Sequence, residues 1–413
     1  MSKFYFECVN CGEIILPDKI NYLCAACSSE NTQDLPPKGV LKTVYNYNKI
    51  KEQYLGNLFD SLLNNSFFDL LPIKNKNNFP LLKVGNTPLY KVENFNNKKL
   101  HYNLFLKDDS QNPTFSFKDR ASYLVSTYAK ENNIDTIVAA STGNAGSSLA
   151  GICAAQNQKA IIFVPASAPK AKLTQIIMYG ATIIPVEGTY DDAFDLSIAA
   201  TKKYGWYNRN TAFNPFTIEG KKTVSFEIFN QLNKVLPDNI FVPVGDGVII
   251  SGVYKGFEDL LNLGIINKIP KIIAVQADGS SNIINNLNKK KFTSNHSKTI
   301  ADSISVDIPR NFYMTKDFLN KYNGESISVT DNEILAASKS LSKNIGIFTE
   351  PASAASFAGL LKYYEQNKIE NNSNNIVLLT GSGLKDLNSV QNIINIPKSV
   401  KPDLKEVEKF LKM

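Results

Sequence analysis

The sequence predicts an α/β protein built on parallel sheets, with a small cysteine-rich segment at its N-terminus. Three observations support this prediction: short β-branched runs alternate with helical patterns, small polar turns follow those runs, and four cysteines lie near the start. A chain of 413 residues is long enough for two large lobes or one large domain with additions. Its 43% hydrophobic and 20% charged residues are ordinary for a globular protein.

Charge and hydropathy exclude two classes of partner. The net charge of +7 comes from scattered lysines, and the compact cluster Lys289 to Lys291 is typical of a solvated loop, so no nucleic-acid partner is expected. No apolar run reaches the length that spans a bilayer, so no membrane partner is expected either. The N-terminus lacks the apolar core and cleavage site of a secretory signal, which predicts a cytoplasmic protein.

The N-terminal cysteines form two C-x-x-C pairs separated by twelve residues. Two such pairs can present four thiolates tetrahedrally to one zinc ion, and so short a segment has little core of its own. We therefore predict a structural zinc ribbon over residues 1–36. A redox dithiol and a ribbon that has lost its metal are the alternatives. The predicted zinc ligands are Cys8, Cys11, Cys24 and Cys27.

Further along the chain, the β-branched runs predict buried strands. Between them lie helical patterns such as the one after Lys118, where Ala121, Leu124, Val125 and Tyr128 fall on one face of a helix. Strands that alternate with helices form parallel sheets covered on both faces, and ligands bind beyond the carboxyl ends of such strands. The predicted strands are "IDTIVAA", "AIIFVP", "ATIIPV", "NIFVPVG", "KIIAVQA" and "NIVLLTG".

The turn "STGNAGSS" follows the first of these strands and leads into a helix. Small residues there leave backbone N–H groups free to face an anion, and Ser141, Thr142 and Asn144 add side-chain hydrogen bonds. The pattern suits a substrate carboxylate, although a capped tight turn explains it equally well.

Two later turns suggest a phosphate and a heteroaromatic ring. In "VGDGVIISG", Gly245 and Gly247 allow N–H groups to curl around a phosphate, but the loop is neither a Walker loop nor a dinucleotide-binding loop. Asp246 would repel a phosphate unless its side chain points away. In "LLTGSGLKD", the hydroxyl of Thr380 could hydrogen-bond a ring nitrogen without imposing a charge on it.

These turns, together with Lys118 in "NPTFSFKDR", match the needs of pyridoxal phosphate. The aldehyde of this cofactor needs a lysine, its phosphate needs a glycine cradle, and its ring nitrogen needs a partner. We therefore expect Lys118 to be a buried chemical group and pyridoxal phosphate to be the cofactor.

Several motifs in order resemble the threonine synthase branch of the fold-type-II pyridoxal-phosphate enzymes, within the tryptophan synthase β-like superfamily. They are "GNTPLY" from Gly85, the Lys118 motif, "NPFTIEGKKT" from Asn214, "TEPASAAS" from Thr349 and "LTGSGLKD". The resemblance implies a catalytic region over residues 37–413, with two open parallel-sheet lobes and the cofactor between them. Residues 37–111 and 206–413 would form the larger lobe, and 112–205 the smaller. An N-terminal ribbon is a known addition in this branch, and a homodimer is expected on the resemblance alone.

The resemblance also assigns roles to site residues. Lys118 would be the catalytic Schiff-base lysine, Asn144 would hydrogen-bond the 3′-oxygen of the cofactor, and Thr380 would face its pyridine nitrogen. Ser141 and Thr142 would receive the carboxylate of an amino-acid substrate. The cofactor phosphate would be held by the backbone of Gly245, Asp246, Gly247, Val248 and Ile249.

The implied reaction is the conversion of O-phosphohomoserine and water to L-threonine and phosphate. A neutral Thr380 at the ring nitrogen favours prompt loss of a side-chain leaving group, which fits a lyase. Three positions depart from the family pattern: Phe115 replaces a glycine, Thr217 replaces an arginine that helps to hold the substrate phosphate, and "GDGVI" replaces "GNAGN".

The lost arginine leaves the substrate open. Candidates for a compensating cation are Arg209, Arg310, Lys221 and Lys222. An ammonia-lyase acting on threonine, serine or diaminopropionate needs no phosphate site, and a β-replacement enzyme such as cysteate synthase is a third reading. A non-catalytic cofactor-binding relative is the alternative outside the enzymes.

Overall fold

The computed structural model describes residues 2–54 and 56–411, and its strands form three sheets. The strands are β1 (Phe4–Cys8), β2 (Ile14–Ile15), β3 (Leu41–Tyr45), β4 (Leu89–Phe95), β5 (Lys98–Asp108), β6 (Thr136–Ala140), β7 (Lys159–Pro165), β8 (Thr182–Val186), β9 (Tyr207–Asn208), β10 (Asn239–Pro243), β11 (Lys271–Ala277), β12 (Glu325–Val329) and β13 (Asn374–Leu379). All six strands predicted from the sequence are confirmed, as β6, β7, β8, β10, β11 and β13.

Helices connect most of these strands. They are α1 (Ala25–Ser28), α2 (Tyr47–Gln53), α3 (Leu58–Asn64), α4 (Lys118–Glu131), α5 (Asn144–Gln156), α6 (Lys170–Met178), α7 (Tyr190–Tyr204), α8 (Phe216–Lys221), α9 (Thr223–Gln231), α10 (Val248–Asn262), α11 (Phe312–Lys321), α12 (Asp331–Ile345), α13 (Pro351–Glu365) and α14 (Leu404–Leu411). Within the described residues, no helix combines the length and the apolar character needed to cross a bilayer.

The larger sheet has six strands in the order β12-β11-β10-β13-β5-β4. All neighbouring pairs are parallel except β4 and β5, which form an antiparallel edge. Successive side chains of β10 enter different cores: Ile240 and Val242 pack in the cluster that contains α10, and Phe241 packs with residues of α13. Helices therefore cover both faces, which explains why the central strands are continuous apolar runs.

The second sheet has four parallel strands in the order β8-β7-β6-β9, and the N-terminal sheet has three antiparallel strands in the order β2-β1-β3. The fold is thus the predicted α/β architecture with parallel-sheet lobes and a small N-terminal addition. The predicted domain boundaries stay a prediction. Strand β3 pairs with β1 although it lies beyond residue 36, and β9 joins the smaller sheet although it lies beyond residue 205.

A buried ion cluster anchors the start of α4, the helix that begins at Lys118. Arg120 donates to both carboxylate oxygens of Asp109, at 2.6 and 2.9 Å, and to both of Glu227, at 2.6 and 2.8 Å. Lys107 also donates to Glu227, at 2.7 Å. Burial opposes ionisation of Glu227, but the charges of Arg120 and Lys107 outweigh it and lower the pKa of this carboxyl to about 2.

The N-terminal sheet packs against the segment that contains "NPFTIEG". Phe4 and Phe6 contact Phe216 of α8, with ring centroids 5.9 and 5.8 Å apart. The hydroxyl of Tyr45 donates to Glu219 at 2.5 Å, and Glu219 in turn accepts from Lys222 at 2.5 Å. Aromatic packing and buried polar contacts therefore join the ribbon to the catalytic region.

We predict that Glu227→Gln destabilises the protein most at neutral pH. Glu227 has a folded-state pKa below the ordinary value of 4.5, so its stabilising contribution is complete above pH 4.5 and is lost as pH falls through about 2. Removing it leaves Arg120 and Lys107 short of a buried partner, at a cost of roughly 3 to 5 kcal/mol. Thermal unfolding of both proteins between pH 7 and pH 2.5 should show a difference in Tm that shrinks as pH falls.

The control for this prediction is Glu365→Gln, which changes an exposed glutamate at the end of α13 and removes no buried ion pair. Its Tm should follow that of the unmodified protein at every pH. A difference in Tm for Glu227→Gln that stays constant over the whole pH range would contradict the assigned role of this ion pair.

Candidate functional site

Backbone pairing brings three of the sequence motifs together around Lys118. Isolated antiparallel bridges join Ser116 to Gly381 and Thr349 to Ser382. The N–H of Phe117 also donates to the carbonyl of Thr380 at 2.9 Å. The loop before α4, the turn after β13 and the start of α13 therefore form one small backbone layer at the carboxyl end of β13.

Lys118 occupies the first position of α4, and its amine lies in a buried environment. Burial lowers the pKa of Lys118 to about 8, although the carboxylates of Glu350 and Asp246 favour its charged form. The following Asp119 is fully buried and accepts the backbone N–H of Thr114 at 2.7 Å. Asp119 and Arg120 therefore make structural contacts. The amine of Lys118, in contrast, is influenced by the carboxylates of Glu350 and Asp246.

Asn144 is buried at the start of α5, where its side-chain amide donates to Glu350. The two nitrogen–oxygen distances are both 2.9 Å. Burial raises the pKa of the Glu350 carboxyl, and the hydrogen bonds from Asn144 act against that rise. Glu350 thus accepts hydrogen bonds from the predicted cofactor ligand Asn144 and favours the charged form of Lys118, and sequence reasoning gave it no role.

A cleft of about 490 Å³ opens beside Asn144 and Glu350. Thr142 lies in its wall, whereas the hydroxyl of Ser141 accepts the N–H of Gly143 at 3.2 Å. Lys385 also lines the cleft and donates to Ser147 at 2.8 Å. The cleft thus brings together Thr142 and Asn144 from one turn, while Lys118, Thr380 and the loop at 245–249 lie outside its lining.

The loop at 245–249 ends at the N-terminus of α10 and leaves its amide groups open. Gly247 has φ +86°, a left-handed conformation that favours glycine, and a Cβ there would lie 2.2 Å from Oγ1 of Thr315. The N–H groups of Gly247, Val248 and Ile249 have no acceptor among the described residues, as expected for the first turn of a helix. Such open donors, together with the helix dipole, can hold a phosphate.

Asp246 lies in this loop with its carboxylate tied to the neighbouring chain segment. Its Oδ1 accepts the backbone N–H of Arg310 at 3.1 Å, and burial raises the pKa of the carboxyl. The side chain is therefore hydrogen-bonded to the segment that precedes α11, as expected if it points away from a phosphate held by the loop amides.

Thr380 is buried and held at both backbone groups. Its N–H donates to Oγ of Ser353 at 2.9 Å, and its carbonyl accepts from Phe117. Thr380 therefore lies next to the start of α4, at the end of β13, where a ring nitrogen could be met.

The four N-terminal cysteines form a separate cluster. Their sulfur atoms all lie within 4.8 Å of one another, and the sulfurs of Cys11 and Cys24 are 3.9 Å apart. A group of four thiols at this spacing suits a tetrahedral zinc ion.

Sequence reasoning missed Glu350 and Lys385, although both lie in motifs that carried the resemblance. Each is a charged residue among small or apolar neighbours next to a predicted strand or helix end, in "TEPASAAS" and "TGSGLKD". That signal could have identified them. Their partners, Asn144 and Ser147, are more than two hundred residues away in the chain, at separations of 206 and 238 residues.

Comparison with known proteins agrees with this arrangement. Residues 81–381 match the protein family described as "Pyridoxal-phosphate dependent enzyme". The chain is 34% identical to a threonine synthase of Methanocaldococcus jannaschii, over 98% of this chain and 99% of that protein. It is 32% identical to a threonine synthase of Methanosarcina acetivorans, over 99% of this chain and 98% of that protein.

Solved structures with the same fold include threonine deaminase isoform 2 from Solanum lycopersicum, with a TM-score of 0.62 and 24% identity over 72% of this chain and 84% of that chain. Diaminopropionate ammonia lyase from Escherichia coli gives a TM-score of 0.64 and 17% identity, over 76% of this chain and 90% of that one. Identities this low show the fold alone. The family match and the full-length relatives show more: this chain belongs to the pyridoxal-phosphate dependent enzyme family, in its threonine synthase branch.

Proposed function

We propose that this protein is a threonine synthase, which converts O-phosphohomoserine and water into L-threonine and inorganic phosphate. The observation that carries the proposal is the similarity to two threonine synthases along almost the entire length of both partners. In this reaction the bond from Cγ to the phosphate oxygen breaks and Cγ gains a proton, while Cβ loses a proton and gains the hydroxyl group of water. The protein must therefore hold an amino acid, move protons at Cα, Cβ and Cγ, and release the departing phosphate.

The residues of the site fit pyridoxal phosphate. Lys118 offers a buried amine, and the loop at 245–249 offers open N–H groups in a position where Gly247 leaves room. When bound, this cofactor would supply an aldehyde for the substrate amine and a sink for the electrons left at Cα. We propose Lys118, Asn144, Thr380 and the loop backbone as the groups that hold it.

The amine of Lys118 is suited to moving the proton at Cα. A group with a pKa of about 8 is present in both protonation states near neutral pH, so it can accept a proton and return it. Ser141 and Thr142 would orient the substrate by its carboxylate. Thr380 is neutral, so it would meet the ring nitrogen without adding a charge.

Thr217 favours a second candidate function. Its hydroxyl donates to the backbone carbonyl of Asn214 at 2.8 Å and is fully buried, so it does not replace the anion-binding arginine of the family pattern. An ammonia-lyase acting on an amino acid without a phosphate would need no cation at this place. The two functions differ in their products, phosphate and threonine on one side, a keto acid and ammonia on the other.

We propose that the four N-terminal thiols hold a structural zinc ion. The donor set and the sulfur spacing support this. The ribbon packs on the segment before and within α8: the ring of Tyr22 stacks on Phe213 with centroids 4.5 Å apart, and its hydroxyl accepts the N–H of Asn208 at 2.9 Å. An ordered ribbon would therefore stabilise residues 207–222.

Phe115 carries backbone strain at the mouth of the cleft. Its φ of +68° lies in the left-handed region, where the family pattern has glycine, and its side chain is 49% exposed. A left-handed conformation costs a non-glycine residue roughly 1 to 2 kcal/mol. The ring lines the cleft, so we infer that it is retained to narrow the entrance and exclude water from the site.

The substrate proposal predicts phosphate release from O-phosphohomoserine by the purified, cofactor-loaded protein, with one L-threonine formed per phosphate. Lys118→Ala should lower this rate by about a thousandfold or more, because both the cofactor attachment and the proton carrier are lost. Coupled phosphate assays and amino-acid analysis measure the two products.

Lys130→Ala, at the exposed end of the same helix, is the matched control and should keep the full rate. Formation of a keto acid from threonine or serine, without phosphate release from O-phosphohomoserine, would replace the proposal with the ammonia-lyase reading. The absence of both reactions, together with an absorbance spectrum that Lys118→Ala leaves unchanged, would exclude a pyridoxal-phosphate enzyme altogether.

Phe115→Gly should raise stability by about 1 kcal/mol, because glycine relieves the left-handed strain. The same change should lower kcat/KM severalfold, because the cleft mouth opens to water. Phe115→Ala separates the two effects: it removes the ring but keeps the strain, so it should lose activity without gaining stability. Thermal unfolding and steady-state kinetics on the three proteins check this, and equal stabilities of the two variants would refute the strain.

Zinc removal should lower the Tm of the protein by roughly 3 °C or more, because the ribbon loses its internal cross-link. Elemental analysis should find one zinc per chain in the unmodified protein and none in Cys24→Ser. Cys153→Ser, which changes a buried thiol far from the cluster in sequence, is the control and should keep its zinc. If the purified protein contains no zinc and takes none up, the structural-metal proposal is wrong.

A further inference from the structure

Two buried cations beside the site have no ion pair within the part of the chain that the structure describes. Arg209 is 1% exposed; its Nε donates to Ser122 at 3.2 Å, and its Nη2 has no partner. Lys221 is also 1% exposed, and its amine donates only to the carbonyl of Thr217 at 3.2 Å. Neither cation contacts a carboxylate.

The other fully buried cations nearby are all paired. Lys222 contacts Glu219 at 2.5 Å and Asp259 at 2.6 Å, and Arg120 contacts two carboxylates through four hydrogen bonds. An unpaired charge out of water is strongly unfavourable. Since this chain meets that cost by pairing elsewhere, the unpaired Arg209 and Lys221 require a different explanation.

Arg209, Lys221 and Lys118 influence one another electrostatically. Burial lowers the pKa of Lys221 well below its ordinary value, and the charges of Arg209 and Lys118 lower it further, while Asp246 acts in the opposite direction. Lys221 also packs on the second turn of α10. A Cβ added to Gly252 would lie only 2.7 Å from the Cβ of Lys221, so the two residues are in close contact. Lys221 thus contacts α10, the helix that follows the glycine loop, and Arg209 contacts Ser122 on α4, the helix that begins at Lys118.

Lys221 stands four residues after Thr217 on α8, so the two side chains leave the helix on the same side. A cation at 221 can therefore reach the space that an arginine at 217 would have served. Two of the four candidate cations named from the sequence are already ion-paired. Lys222 pairs with Glu219 and Asp259, and the guanidinium of Arg310 pairs with Asp191. Arg209 and Lys221 remain.

We infer that Arg209 and Lys221 together form a binding site for a phosphate dianion. A dianion compensates two cations at once, whereas a carboxylate would leave one of them unbalanced, and a guanidinium can bind two phosphate oxygens. The phosphate is either the leaving group of the substrate or the tail of the cofactor, which present the same oxygens. The assignment to the substrate rests on the proposed function; the affinity for phosphate does not.

The test uses Lys221→Met and Arg209→Gln in the full-length protein, both without and with bound cofactor, because a cofactor tail would fill the site in the loaded protein. Inorganic phosphate is the probe. Methionine keeps the length of the lysine chain and removes a buried amine whose burial is unfavourable, so Tm should stay equal or rise. Phosphate affinity measured by calorimetry should fall about tenfold or more in both variants. Lys362→Met is the control, because this partly buried lysine on α13 pairs with Glu333, away from the site, and should leave the affinity unchanged.

Two further measurements identify which phosphate the pair binds. If it binds the leaving group, Lys221→Met should raise the KM for O-phosphohomoserine and leave the affinity for the cofactor unchanged. If it binds the cofactor tail, the variant apoprotein should lose affinity for pyridoxal phosphate but not for pyridoxal, which has no phosphate.

The inference is overturned if both variants bind inorganic phosphate, pyridoxal phosphate and O-phosphohomoserine as the unmodified protein does. Failure of the proposed function looks different. In that case the unmodified protein releases no phosphate from O-phosphohomoserine, yet it still binds inorganic or cofactor phosphate in a manner that depends on Arg209 and Lys221.

Discussion

A charge removed from water must be met by an opposite charge, and this constraint organises the centre of the molecule. Arg120 is fully buried and is neutralised by Asp109 and Glu227, which come from the end of β5 and from α9. The cluster therefore joins three separate parts of the chain at one point. Because Arg120 lies two residues after Lys118, the same cluster fixes the start of α4 and with it the amine that we propose as the cofactor attachment.

The need to pair a buried charge also divides the buried cations into two groups, those that stabilise the fold and those that we propose to bind a ligand. Lys107, Lys222 and Arg120 each have carboxylate partners within 2.7 Å, and they hold elements together. Arg209 and Lys221 are equally buried and have no carboxylate partner among residues 2–54 and 56–411. Cations that the folded chain leaves uncompensated are free to bind an anion, so burial without a partner distinguishes the second group from the first.

The fold could be predicted from the sequence where apolar runs are continuous, as in β10 and β11, which are buried on both faces. Strand β5 was not predicted, because its sequence "KKLHYNLFLKD" contains charged and polar residues whose partners lie elsewhere. Lys107, for example, is buried only because Glu227 and Gln231 of α9 meet it. Tertiary contacts of this kind override the local pattern.

In the site, too, the sequence predicted single residues and motifs but not the contacts between distant residues. Motif order predicted Lys118, Asn144 and Thr380 as site residues, and backbone pairing joins the segments that contain Lys118 and Thr380. The hydrogen bonds between Asn144 and Glu350 could not be predicted, because they join residues 206 positions apart. For the same reason the sequence left four cations as candidates for a phosphate contact, and their three-dimensional partners distinguish them.

The contact between the ribbon and α8 has a consequence for the evolution of the chain. Phe4, Phe6 and Tyr22 cover aromatic rings of the segment that bears Arg209 and Lys221, and Tyr45 satisfies a buried carboxylate there. Removal of the first 45 residues would therefore expose side chains that these contacts bury. In a related protein without these residues, the aromatic rings and the carboxylate that they contact would be exposed to water. Gain or loss of the ribbon should therefore coincide with substitutions at positions 213, 216 and 219.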